Sequence, residues 1–141
     1  LKAVRSNDWV LAEDSGLVVP SMGGLPGVHS ARYAGPHARD SENVTKLVKM
    51  MAIRNISDRK AQFHCAMVIM TPENQEWVFE TDFQGQIAKS PQGVMGFGYD
   101  PVFIPEGQTQ TLAELGPGYK TLHSHRSKAL KMFLEKLKTT L

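Results

Sequence analysis

The chain reads as an α/β protein, a mixed twisted sheet flanked by helices, and three patterns predict it. Gln62 to Met70 is apolar on both alternating faces, Phe63, Cys65, Met67 and Ile69 against Ala66, Val68 and Met70. That is the pattern of a central strand covered on both sides. Glu76 to Phe83 alternates Trp77, Phe79 and Phe83 with Glu76, Glu80 and Asp82, as a strand with one wet face does. Two further segments repeat apolar residues at the spacing of one helix face: Val44, Leu47, Val48 and Met51, then Leu130, Phe133, Leu134 and Leu137.

In chain order, Trp9 to Ala12 reads as a short buried strand ending at Glu13-Asp14. Leu17 to Val19 reads as a second extended piece, stopped by Pro20 because proline cannot donate to a ladder. Ser21 to Ser30, with Gly23, Gly24, Pro26 and Gly27, is a turn-rich loop. Asp40 to Arg54 is the first helix. Thr71 to Gln75, with Pro72 and Asn74, joins the two central strands as a hairpin loop. Ser124 to Leu137 is the last helix, with Ser124 as its N-cap.

With 141 residues, the chain is long enough for one domain with a real core, so residues 1–141 are expected to form a single domain. The longest apolar run, Cys65 to Met70, is far shorter than the roughly 20 residues of a membrane helix. No secretory signal pattern opens the chain. A single cysteine, Cys65, cannot form an internal disulfide, and a cytoplasmic location is the expectation. The net charge of +2 is small, but six Lys/Arg against one acid, Glu135, crowd the stretch from Tyr119 to Leu141. Such a bias suits an anionic partner or, equally, a solvated helix face. Basic and aromatic residues are not interleaved on one face of the last helix, which argues against direct nucleic-acid binding.

Three stretches combine special backbone with polar groups. Glu13-Asp14-Ser15-Gly16 would sit at the end of a strand, where open α/β sheets place ligands and where clustered carboxylates suit Mg²⁺. An Asp-Ser-Gly is, however, more often only a turn. Gly96 to Pro101 sets Phe97 between two glycines, followed by Tyr99-Asp100. A ring so placed can lie against a flat ligand such as a purine, and an adjacent Asp can accept from its N–H groups. The same loop could equally tuck its aromatics into the core. Lys120 to Arg126 places Lys120 just before the last helix and His125-Arg126 in its first turn, where donors add to the positive end of the helix dipole. His123 and His125 could also be surface bystanders. No zinc-ligand spacing, phosphate-binding P-loop or nucleophile elbow is present.

The order of these stretches, LAEDSGLVVPSMGGLPGVHSARYAG, GFGYDPVFIPEG, TLAELG and KTLHSHRSKAL, resembles the non-canonical purine nucleoside triphosphate pyrophosphatases, the ITP/XTP/dITP diphosphatases of bacterial type. The resemblance runs to the last helix. It implies an Mg²⁺-dependent homodimeric enzyme that hydrolyses such triphosphates to the monophosphate and pyrophosphate. By the same resemblance, Asp14 binds Mg²⁺ and accepts the proton of the attacking water, and Glu13 stands where the family carries a second metal-site Asp. Ser15 contacts substrate, Phe97, Gly98, Tyr99 and Asp100 hold the base, and Lys120, His125 and Arg126 complete the pocket. The family opens with a strand, a Ser/Thr-Gly-Asn-x-x-Lys loop and a helix containing Glu-Asn-Ala, none of which is found here. The resemblance thus implies that the N-terminal strand and helix are missing from this chain. An alternative follows: an inactive remnant that folds and binds purine nucleotides.

Overall fold

The computed structural model describes residues 8–123 and 125–140, without the side chains at 121–127 and 140. Four strands, β1 (Val10–Val18), β2 (Lys60–Met70), β3 (Glu76–Ile87) and β4 (Phe103–Pro105), form one sheet in the order β1-β2-β3-β4. The helices are α1 (Asp40–Ile53), α2 (Leu112–Leu115), α3 (Pro117–His123) and α4 (His125–Thr140). Short 3₁₀ turns at Pro20–Met22 and Gly27–Arg32 follow β1. The α/β class is as expected. The expected mixture of strand directions is not seen among the described residues, where all three pairings are antiparallel. A parallel pair needs a crossover that returns the chain to the same end of the sheet.

β1 corrects the reading of its segment. The strand does not end at Glu13-Asp14 as expected, and Asp14-Ser15-Gly16 is not a turn: one strand runs through both carboxylates, Glu13 opposite Met67 and Asp14 opposite Ala66. The ladder to β2 satisfies the backbone, and Glu13, Asp14 and Ser15 are exposed, so no charge is buried. Gly16 is extended rather than turning. A Cβ there would lie 2.6 Å from the Gly27 carbonyl oxygen, so its lack of a side chain is what lets the following loop close over the strand.

The register places Leu17, Phe63, Cys65, Met67, Ile69, Trp77, Phe79 and Phe83 on one face of the sheet. The buried core lies on that face. One part packs Leu17, Phe83 and Phe103 with Val44, Leu47 and Met51 of α1; the other packs Cys65, Met67, Ile69, Trp77 and Phe79 with Ala129 of α4. Among the described residues, β2 is therefore covered on one side, not two. Ala66, Val68 and Met70 are only half-buried on the other side, shielded by neighbouring strands. The hairpin between β2 and β3 is as expected. Thr71 N–H donates to the Gln75 carbonyl at 2.9 Å, and Asn74 takes φ 64°, a left-handed conformation that Asn tolerates.

α1 matches its expected stripe: Val44, Leu47 and Met51 are buried and Val48 packs beside them. Its start is fixed by the Arg39 N–H donating to Glu42 Oε1 at 2.9 Å. α4 departs from expectation. Its inward row is Ala129, fully buried, with Phe133 and Leu137 half-buried, while Leu130 and Leu134 are each 46% exposed. Ala129 brings the helix close to the sheet, and Phe133 then meets Trp77 and Phe79, each at 6.4 Å between ring centroids. The expected N-cap, Ser124, lies outside the described residues. α2 and α3 were not foreseen. α2 is a single turn, closed by reciprocal bonds in which Thr111 N–H donates to Glu114 Oε1 at 3.0 Å and Glu114 N–H to Thr111 Oγ1 at 3.3 Å. Among the described residues, no helix is long and apolar enough to cross a membrane.

Candidate nucleotide site

A cavity of about 520 Å³ opens between the covered face of the sheet, the start of α1, the loop at 96–100 and α3. Ser15 enters it from β1, and Phe97, Gly98, Tyr99, Asp100 and Lys120 line its far side. Six residues singled out from the sequence thus converge on one cavity, although over a hundred positions separate the first from the last.

The loop at 96–100 is folded around Asp100, which is 2% exposed. Asp100 Oδ2 accepts the Phe97 N–H at 3.1 Å, and both carboxylate oxygens accept from Lys120 Nζ, at 3.0 and 2.9 Å. A Cβ on Gly96 would collide with that carboxylate, and Gly96 sits at φ +83°, so glycine is required on both counts. The Lys120 ammonium also stands 3.7 Å from the Phe97 ring centroid, while Phe97 itself is 61% exposed. The buried carboxylate is thereby compensated by a partly buried cation, and the same cation caps an aromatic ring. Lys120 belongs to α3 rather than to a loop before the last helix, which is why its amine reaches Asp100.

Tyr99 is 5% exposed and donates its hydroxyl to the Ser30 carbonyl at 2.7 Å. Burial holds its phenol well above the usual tyrosine range, helped by neighbouring Tyr33 and Asp40, so it remains a donor. Ser30 in turn accepts the Leu17 N–H of β1 at 2.9 Å and donates to the Gly27 carbonyl at 2.6 Å. Asn43, 2% exposed on α1, donates to Ala31 O at 3.0 Å and accepts from Ala34 N–H at 2.8 Å. These ties fix the cavity wall at Ser30 and Ala31.

Glu13 and Asp14 do not line the cavity. The register puts Glu13 on the same face as Ser15 and Asp14 on the opposite one. β1 is the edge strand of the described sheet, so the two carboxylates flank its outer edge, one on each side of the pleat. Their hard oxygen donors suit Mg²⁺ in kind. Among the described residues, however, no group of three His, Cys, Asp or Glu side chains converges to hold a metal. The side chains of His125 and Arg126 lie outside the described residues. Sequence reasoning passed over Ser30, Asp40 and Asn43, which also border the cavity. Asp40, an acid in the first turn of a helix the apolar stripe predicts, was the one with a legible signal.

Fold and site together define an α/β domain with a small-molecule pocket, lined among others by the aromatic rings of Phe63, Phe97 and Tyr99 and the charged groups of Asp40, Asp100 and Lys120, of the size of an ordinary ligand site. The model of the Ham1 family matches residues 1–136, and the chain belongs to that family. The chain is 63% identical over 139 residues to the dITP/XTP pyrophosphatase of Bdellovibrio bacteriovorus, covering 99% of this chain and 70% of that protein. With the dITP/XTP pyrophosphatase of Geobacillus kaustophilus the identity is 48%, over 86% of this chain and 59% of the relative. The solved structure of the Staphylococcus aureus Ham1 protein superposes with a TM-score of 0.90 at 38% identity, covering 96% of this chain and 69% of that one.

Proposed function

We propose that residues 1–141 belong to one pyrophosphatase domain, N-terminally incomplete in this chain, that hydrolyses non-canonical purine nucleoside triphosphates (ITP, dITP or XTP) to the monophosphate and pyrophosphate. The relatives that carry this activity in their names support it, over 99% of this chain in the Bdellovibrio case. The structural observation that carries it is the loop at 96–100, which presents an exposed Phe97 beside a buried Asp100 at the cavity. A purine base stacks on Phe97, and its pocket is closed by Gly98, Tyr99 and Lys120. Ser15 holds the sugar-phosphate side from β1. His125 and Arg126 donate to a 6-oxo group, which satisfies them; the 6-amino group of adenine would leave them facing donors, at about 1–3 kcal/mol for each buried group left unpaired.

Mg²⁺ is the cofactor we assign; when bound, it neutralises phosphate oxygens and lowers the pKa of a bound water. Asp14 would hold it; Glu13 projects from the opposite face of β1 and would not share the same ion. Asp14 accepts the proton of the attacking water. The water oxygen bonds to the α-phosphorus, the bond from that phosphorus to the bridging oxygen breaks, and pyrophosphate leaves with the electron pair. Such transfers need mainly alignment and charge compensation. The enzyme is assigned to the cytoplasm as a homodimer, with a single buried cysteine that fits a reducing compartment.

A second reading, purine nucleotide binding without turnover, is favoured by one observation: six expected residues line the cavity, and neither carboxylate of β1 does. One experiment separates the two. Pyrophosphate release from dITP and XTP is measured with Mg²⁺, alongside calorimetric binding of inosine monophosphate. Release establishes the hydrolase; binding without release establishes the second reading; the absence of both overturns the nucleotide site itself.

A further inference from the structure

Asp40, the first residue of α1, borders the cavity and accepts the Gly98 N–H on Oδ2 at 2.8 Å, across 58 positions of sequence. The other backbone bonds at Phe97 and Gly98 are local, Phe97 N–H to Asp100 Oδ2 and Asp100 N–H to the Phe97 carbonyl. Among the described residues, Asp40 is therefore what ties the Phe97-Gly98 backbone to a rigid element elsewhere in the chain. The element is well chosen. α1 is anchored in the core through Leu47 and Met51, both fully buried, and one turn beyond Asp40 it holds the opposite cavity wall through Asn43. A carboxylate in a first helical turn is also favoured by the helix dipole, and its oxygens are strong acceptors.

We infer that Asp40 is a positioning residue for the nucleotide base: it fixes the Phe97-Gly98 turn against α1 and so sets the affinity of the pocket without touching the reacting atoms. This inference rests on the proposed nucleotide site. Losing the bond lets the turn drift from the stacking position, and the ligand must then restore it on binding, which lowers apparent affinity.

The test uses Asp40→Ala, Asp40→Glu and Asp40→Asn. Asp40→Glu keeps the helix charge but moves the carboxylate away from Gly98; Asp40→Asn removes the charge but keeps an acceptor in place. Steady-state dITP hydrolysis is measured beside amide exchange of residues 96–100. Asp40→Ala and Asp40→Glu should raise KM about five- to tenfold, the scale of one ordinary hydrogen bond, with kcat within about twofold. Both should speed exchange of the Gly98 amide, and Asp40→Asn should restore KM and protection towards the parent. Unchanged KM with faster Gly98 exchange would overturn the inference, as would a loss confined to kcat. If the parent protein releases no pyrophosphate, the hydrolase reading fails separately, and the affinity for inosine monophosphate decides: weaker binding by Asp40→Glu upholds the positioning role, equal binding overturns it.

Discussion

Lys120→Met tests whether the Lys120–Asp100 pair holds the site together. The substitution keeps most of the apolar stem and deletes only the charge. Asp100, whose side chain is 3% exposed, would lose two ammonium contacts at 3.0 and 2.9 Å and keep one backbone donor, the Phe97 N–H. The ammonium over the Phe97 ring, 3.7 Å from its centroid, is lost as well. Removing one partner of a buried pair costs about 3–5 kcal/mol, because the remaining carboxylate stays desolvated without compensation. Lys120 is 21% exposed, so water can partly replace it and the lower end of that range applies. For a chain of this size, about 3 kcal/mol corresponds to a fall in Tm of roughly 6–12 °C. The assay is thermal unfolding of the parent, Lys120→Met, Asp100→Asn and the double variant. The double variant should recover part of the loss, since a neutral amide no longer needs the ammonium. A fall of less than about 2 °C, or strictly additive losses in the double variant, would refute the reasoning.

Three further outcomes are expected. Asp14→Asn keeps size and removes the base, and should lower turnover of dITP by at least about a hundredfold, the lower end of general-base contributions; turnover within a few-fold of the parent would remove Asp14 from the mechanism. Arg126→Ala should reduce kcat/KM for ITP more than for ATP, and equal losses would assign Arg126 to the phosphates instead. Tyr99 has a folded pKa raised by burial above its ordinary value of 10.0, so its stabilising contribution is complete below that value and is lost as pH rises beyond it. Tm should therefore fall above about pH 10, and Tyr99→Phe should flatten that fall while costing about 1 kcal/mol for the lost hydrogen bond to Ser30; an equally steep fall in the variant would show that another group titrates.

The local elements were legible because periodicity is a local property. The stripe Val44, Leu47, Val48 and Met51 is a statement about one helix, and α1 buries that face. The alternation of β3 and the Asn74 turn are equally local. The residues of the pocket were legible for a different reason: Ser15, Phe97, Asp100 and Lys120 stand in unusual motifs whose order is itself the signal. What pairs with what was not. A carboxylate pair between apolar runs is compatible with a turn or a strand, and only the ladder from β1 to β2 decided for the strand and put Glu13 and Asp14 on opposite faces. Leu130 and Leu134 have the spacing of a buried row, yet the small side chain of Ala129 lets α4 approach the sheet at another angle, and the aromatic rings of Trp77 and Phe79 select Phe133 and Leu137. The tie from Asp40 to Gly98 joins positions 58 residues apart, and the Lys120–Asp100 pair is buried by elements that meet only when the core forms. Sequence alone determines which face of a segment wants to be dry. Which partner dries it, and which charge then needs a counter-charge, is set by packing, because burial is a property of neighbours and not of the chain that carries the residue.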